Sequence, residues 1–165
     1  MLHFKLSTGK KIYFISDIHL GFPDEEASLE REKIVLKWME EVKDDAAHIV
    51  FLGDVFDFWF EYRYVIPKGF SRFKAGLVKL QQAGIDLRFF TGNHDLWMFD
   101  YFPKEYSIPV YRQPTELRTG GLRLLIGHGD GLGPGDHSYK LMKKVFTNGV
   151  CQKLFRWLNP HIGMW

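Results

Sequence analysis

Cysteine is nearly absent: Cys151 is the only one among 165 residues, so no disulfide can form within the chain and no thiolate cage can hold a structural metal. A surplus of charge of one sign is also missing. The 22 Lys and Arg against 20 Asp and Glu leave a net charge of +2, without the concentrated basic stripe of a nucleic-acid reader, and no nucleic-acid partner is expected. No run approaches the ~20 apolar residues that span a bilayer. The opening MLHFKLSTGK lacks the apolar core of a secretory signal. These absences point to a reducing, cytoplasmic setting in which any membrane contact is peripheral, on the inner face of the cytoplasmic membrane. With no repeat, low-complexity tract or linker, and with 45% hydrophobic residues, one globular domain over 1–165 is expected. Its apolar ending, Ile162-Gly163-Met164-Trp165, follows directly on a helical pattern and reads as an incomplete domain, with 137–165 opening a helical lid.

What is present alternates between two periods. Lys11 to Ser16 and His48 to Leu52 are short β-branched and aromatic runs of strand length. Between them Leu29, Val35, Leu36, Trp38, Met39 and Val42 recur at helical spacing among Glu and Lys, which predicts an amphipathic helix over 25–43. A second helix is predicted over 71–82, closed by Gly84, with a buried strand from Ile85 to Phe90. Strands at Tyr111, Leu117–Thr119 and Leu122–Ile126 follow, the last two joined by the hairpin signal Gly120-Gly121. Helix returns over 137–158, broken at Asn148-Gly149.

Four polar motifs each follow a predicted strand: Asp17-Ile18-His19, Gly53-Asp54-Val55-Phe56-Asp57, Gly92-Asn93-His94-Asp95 and Gly127-His128-Gly129-Asp130. Strands of an open α/β sheet bring their C-terminal ends to one edge, so residues distant in sequence should meet there. G-N-H-D and G-H-G-D each arise by chance in only about one chain of this length in a thousand, which makes their joint appearance after strands informative. Carboxylate, amide and imidazole donors suit Mn, Fe or Zn in a catalytic rather than a structural site. Asp17 and His19 can hold one cation, Asn93 and His128 another, and the Asp54 carboxylate can bridge them. A histidine oriented by a carboxylate can protonate a departing oxygen, the role that suits His94 and Asp57. Asp95 and Asp130 are better suited to capping or to supporting the ligands.

Taken in this order, the motifs resemble the calcineurin-like metallophosphoesterase superfamily over Asp17 to Asp130. The resemblance implies an α/β fold, a β-sheet sandwich flanked by helices, with its C-terminal part missing here. It also implies a two-metal hydrolase of phosphoric ester or anhydride bonds. A narrower match, His128, Gly129, Asp130, Leu132, Asp136 and Tyr139 together with Gly53, Asp54, Phe56 and Trp59, resembles the UDP-2,3-diacylglucosamine pyrophosphatase family of lipid A biosynthesis. That family cleaves the diphosphate of a lipidated sugar nucleotide to UMP and an acylated sugar 1-phosphate, usually with manganese. By this resemblance Asp136, Tyr139 and Trp59 would contact substrate.

Two departures accompany the match. His94 stands where well-known members of the lipid family carry Arg, which keeps a broader phosphodiesterase or nucleotide pyrophosphatase open. The closing G-H-x-H motif is absent, leaving three ligands per metal where four are expected, hence weak metal binding or a non-catalytic domain that only binds a partner. The aromatic run Phe56, Phe58, Trp59, Phe60, Tyr62 and Tyr64 suits acyl chains or a sugar face, or else a core or lid cluster. Lys140, Lys143, Lys144, Lys153 and Arg156, alternating with Leu141, Met142, Val145, Phe146, Leu154, Phe155 and Trp157, suit either an anionic membrane surface or a capping helix with a solvated face.

Overall fold

The computed structural model describes residues 1–130 and 137–157, with the backbone alone for 137–139. Four parallel strands, β2 (Lys11–Ile15), β3 (Ala46–Leu52), β4 (Asp86–Phe90) and β5 (Val110–Tyr111), form one sheet in that order. Helix α1 (Glu25–Val42) links β2 to β3, and α2 (Ser71–Gln82) precedes β4. A second sheet takes the order β1 (Leu2–His3), β6 (Thr115–Thr119), β7 (Leu122–Ile126), in which β6 and β7 form the antiparallel hairpin around Gly120-Gly121. Helices α3 (Tyr101–Tyr106), α4 (His137–Thr147) and α5 (Gly149–Phe155) complete the described elements, the last two separated at Asn148 as the Asn-Gly signal implied.

Side-chain alternation along the central strands fills two cores at once. Ile49 and Phe51 of β3 and Leu87 and Phe89 of β4 face α1 and α2, meeting Val35, Met39, Phe73 and Leu77. Val50 and Phe90 point to the opposite face and meet Phe4, Leu117 and Ile126 of the second sheet. The four-stranded sheet is thus the middle layer, with helices on one face and the smaller sheet on the other. This matches the expected sandwich flanked by helices. Strand β1 and helix α3 carry no periodic signal of their own in the sequence. The first is two residues long and forms only by pairing with β6. The second starts where buried Glu61 accepts the N–H groups of Asp100 and Tyr101 at 2.6 and 3.1 Å, a cap supplied from 39 and 40 residues away.

The apolar stripe of α1 gives way near its start to buried Ser28 and Glu32. Ser28 accepts the Gly21 N–H at 2.8 Å. Glu32 accepts the Phe73 N–H at 3.0 Å and pairs with Arg72 at 3.2 Å, capping α2, whose own N-cap residue Phe70 offers no side-chain acceptor. Arg31 donates to the carbonyls of His19 and Phe22 at 2.6 and 2.9 Å. One helix face therefore pins both the turn after β2 and the start of α2.

Candidate metal centre

The turns after β2, β3 and β4 continue the sheet as paired loops. Asp17 and His19 donate their N–H groups to the carbonyls of Gly53 and Asp54 at 3.1 and 2.9 Å, and Leu20 to Val55 at 3.0 Å. Trp59 and Glu61 donate in turn to His94 and Trp97. This zippering brings the first three motifs together, and His128 arrives from the end of β7. Three of the residues concerned occupy the left-handed region that side chains rarely adopt: Asp17, His19 and Asp54, with φ of 55, 48 and 52°. Such conformations cost on the order of 1–3 kcal/mol each and cluster where geometry is functional.

Asp54 lies at the middle, 3% exposed. Its Oδ2 is 3.8 Å from His19 Nε2 and 3.3 Å from His128 Nε2, while His19 Nε2 is 4.0 Å from Asp17 Oδ1. Separations near 4 Å are too long for hydrogen bonds. They suit atoms that share a cation at about 2.0–2.2 Å from each. Two groups of donors lie mutually within 4.8 Å: Asp17, Asp54 and His128; and His19, Asp54 and His94. Asp54 belongs to both, as a bridging carboxylate must, whereas Asp17 falls with His128 and His19 with His94 rather than Asp17 with His19 as the motifs suggest.

His128 supplies a sharper test. Its Nδ1 faces the Leu52 carbonyl at 3.0 Å, so that nitrogen carries a hydrogen, and Nε2 then points between two acceptors, Asp54 Oδ2 and Asn93 Oδ1 at 3.2 Å. A neutral ring presents a lone pair to two oxygens there, which is unfavourable unless a proton or a cation sits between them. The hydrogen bond to Asp54 outweighs burial and pushes the imidazole up to about 9. For Asp54, burial acts to raise the pKa, but the contacts from His128 and the His94 N–H prevail and hold it below the usual carboxylate value. The donor set fits a divalent cation in place of that proton.

Asp57 lies between two rings, its Oδ1 3.4 Å from His19 Nδ1 and 3.3 Å from His94 Nδ1. His94 Nδ1 also donates to the Asp57 carbonyl at 2.9 Å, which leaves Nε2 for another partner. Asp95 is fully buried and accepts from Gly92, Val55 and Asp54 N–H at 2.7, 2.9 and 3.4 Å. It ties the second motif to the third, the supporting role suggested by the sequence. Burial pushes this carboxyl up to about 6. A Cβ on Gly92 would sit 2.1 Å from Asp54 Oδ1 and 2.5 Å from its backbone nitrogen, so only glycine lets the two turns approach.

Trp59 is placed differently from expectation. It is 0% exposed, packs on Phe56 and Phe102, and donates its indole N–H to Glu61, so it is a core residue with no surface for a ligand. The aromatic run around it divides. Phe56 is also core, Phe60 stacks edge-on with Trp97, and Tyr64 is 84% exposed. Asp136 lies outside the described residues, as does the side chain of Tyr139. Asp130 accepts from Lys143 at 2.6 Å, joining the fourth motif to α4. Arg31, Ser28 and Glu32, which brace the turn after β2 and the start of α2, belong to no motif. Polar residues on the inward face of an otherwise amphipathic helix were the available signal.

Comparison with known proteins agrees with this geometry. Residues 10–161 match the family model for calcineurin-like phosphoesterases. The chain is 37% identical over 151 residues to the UDP-2,3-diacylglucosamine hydrolase of Porphyromonas gingivalis, covering 91% of the chain and 58% of that relative. It is 29% identical to the proteins of the same name in Yersinia pseudotuberculosis and Yersinia pestis, over 88% of the chain and 58% of each relative. The chain therefore spans a little over half the length of these curated relatives. With parallel strands delivering three motifs to one edge, His128 arriving there from the second sheet, and a family match over nearly its whole length, the chain belongs to the calcineurin-like phosphoesterase family.

Proposed function

We propose that the protein hydrolyses the diphosphate of UDP-2,3-diacylglucosamine, releasing UMP and 2,3-diacylglucosamine 1-phosphate. The observation that carries the reading is the convergence of acceptors on His128 Nε2 beside the shared carboxylate of Asp54, a site suited to cations and therefore to phosphate. The names of the relatives supply the substrate. Two divalent ions, with Mn proposed and Fe or Zn compatible with the same donors, would supply Lewis-acid stabilisation and an activated water. Asp17 and His19 would hold one, Asn93 and His128 the other, and Asp54 both.

In the reaction the oxygen of water forms a new P–O bond as the bridging P–O bond of the diphosphate breaks. His94, its ring fixed through Nδ1 by Asp57, presents Nε2 to deliver a proton to the departing oxygen or to steady the phosphoryl oxygens. Asp136 and Tyr139 are proposed to contact the glucosamine. No described helix is long and apolar enough to cross a membrane. Leu141, Val150, Leu154 and Trp157, each at least 65% exposed, with Lys153 among them, support peripheral contact of α4 and α5 with the anionic inner leaflet.

Mn-dependent release of UMP from UDP-2,3-diacylglucosamine tests the proposal. Hydrolysis of bis-p-nitrophenyl phosphate with the lipid nucleotide left intact would refute it. That outcome would favour the broader phosphodiesterase or nucleotide pyrophosphatase that His94, in place of Arg, keeps in play.

A further inference from the structure

Beside the metal centre, and opening from its rim, a cleft of about 690 Å³ runs between the turn after β7, the segment following β5, and α4. Among the described residues, its charged wall comprises Arg112, Lys140, Lys143 and Lys144, together with the carboxylate of Asp130. His128 belongs both to this wall and to the donor group around Asp54, so the cleft and the ligands form one continuous surface. Arg112 is fixed in place, donating to the carbonyls of Met98 and Phe99 at 2.8 and 3.1 Å. Lys143 is held by Asp130.

The opposite flank of the α4–α5 pair has another character. Trp97 donates its indole N–H to the Phe146 carbonyl at 2.8 Å, and Phe155 packs on both Trp97 and Phe60 with ring centroids 4.7 Å apart. The helical pair thus separates a basic cleft from an aromatic face, and both adjoin the turns that carry the metal ligands. A substrate cleaved between a charged nucleotide and an acylated sugar has the same division, and the diphosphate lies at the junction.

Resting on the function proposed above, we propose that the basic cleft receives the departing nucleoside monophosphate half of the substrate. The monophosphate, close to dianionic at neutral pH, matches the surplus of positive charge. The cleft's volume lies within the range of small-molecule sites.

The test titrates UMP into the Mn-loaded chain, its Lys140→Glu/Lys144→Glu double variant and a Lys33→Glu/Lys37→Glu variant. The last is a charge-matched control on the exposed face of α1 outside the cleft. Affinity for UMP is expected to fall about tenfold or more in the double variant and to hold in the control. Uridine and inorganic phosphate should each bind more weakly than UMP. Equal UMP affinity in the double variant and the parent, or phosphate binding as tightly as UMP, would overturn the assignment. Thermal melts monitor folding, and the milder Lys144→Ala should move affinity in the same direction. Failure of the cleft and failure of the functional reading look different. A parent that binds UMP through these lysines yet leaves the lipid nucleotide intact keeps the cleft and refutes the activity. One that cleaves the lipid nucleotide with a KM unmoved in the double variant keeps the activity and refutes the cleft.

Discussion

The strand-end turns and the α4–α5 pair sit side by side and are built on opposite principles. Around Asp54 nearly every polar group is fixed. Three residues hold left-handed backbone, buried Asp95 clamps two turns, and Gly92 is in contact with Asp54. Helix α5 has no buried residue, and among the described residues α4 meets the turns through the Lys143–Asp130 pair and the Trp97 contacts with Phe146. The first arrangement suits ligands that must be placed within fractions of an ångström. The second suits a surface that meets a large, variable amphipathic molecule, and it should open at much lower free energy than the core.

Substitutions in the turns should break this contrast most severely. Asp54→Ala removes the one donor common to both groups, and turnover of bis-p-nitrophenyl phosphate is expected to fall by about a thousandfold or more together with metal content. Retained activity with full metal content would refute a bridging role. Gly92→Ala forces a Cβ into Asp54 and should destabilise the fold by about 3 kcal/mol, measurable by urea denaturation. His94→Ala should slow turnover by about a hundredfold with metal content unchanged. Because His94 also belongs to one donor group, loss of metal would reassign it as a ligand.

Titration offers a gentler probe. His128, raised from 6.5 to about 9, stabilises the metal-free chain fully below pH 6.5 and progressively less as pH rises through 9. Metal binding displaces that proton, so the difference in melting temperature between Mn-loaded and chelator-treated protein should widen from pH 6.5 to 9. In His128→Gln the widening should largely vanish. The smallest effect is expected from Trp97→Phe, which deletes the hydrogen bond to Phe146. A loss of about 1 kcal/mol should appear as faster amide exchange confined to α4 and α5, with the turns unaffected. Exchange that quickened equally around Asp54 would mean that the two regions do not behave separately.

Much of the rigid region was legible in the sequence because its information is local. Apolar runs end just before Asp17, Gly53 and Gly92, and glycines mark the tight turns. The long crossover helices announced themselves by period, and the Asn148-Gly149 break lies within a residue of its predicted place. The rest depended on partners far along the chain. No local pattern reveals that Glu61 caps α3, that Glu32 caps α2, or that Arg31 braces the turn at His19. The burial of Trp59 is hidden from the sequence for the same reason. An aromatic residue two positions after Asp57 reads equally well as pocket wall or core, and only the arrival of α3 and Glu61 buries it.

The central claim is that one carboxylate, Asp54, organises two cation sites. Anomalous diffraction from crystals soaked in Mn tests it most directly. Two peaks should flank the Asp54 side chain, one toward Asp17 and His19 and the other toward Asn93 and His128. A single peak, or peaks that leave Asp54 uncoordinated, would contradict it.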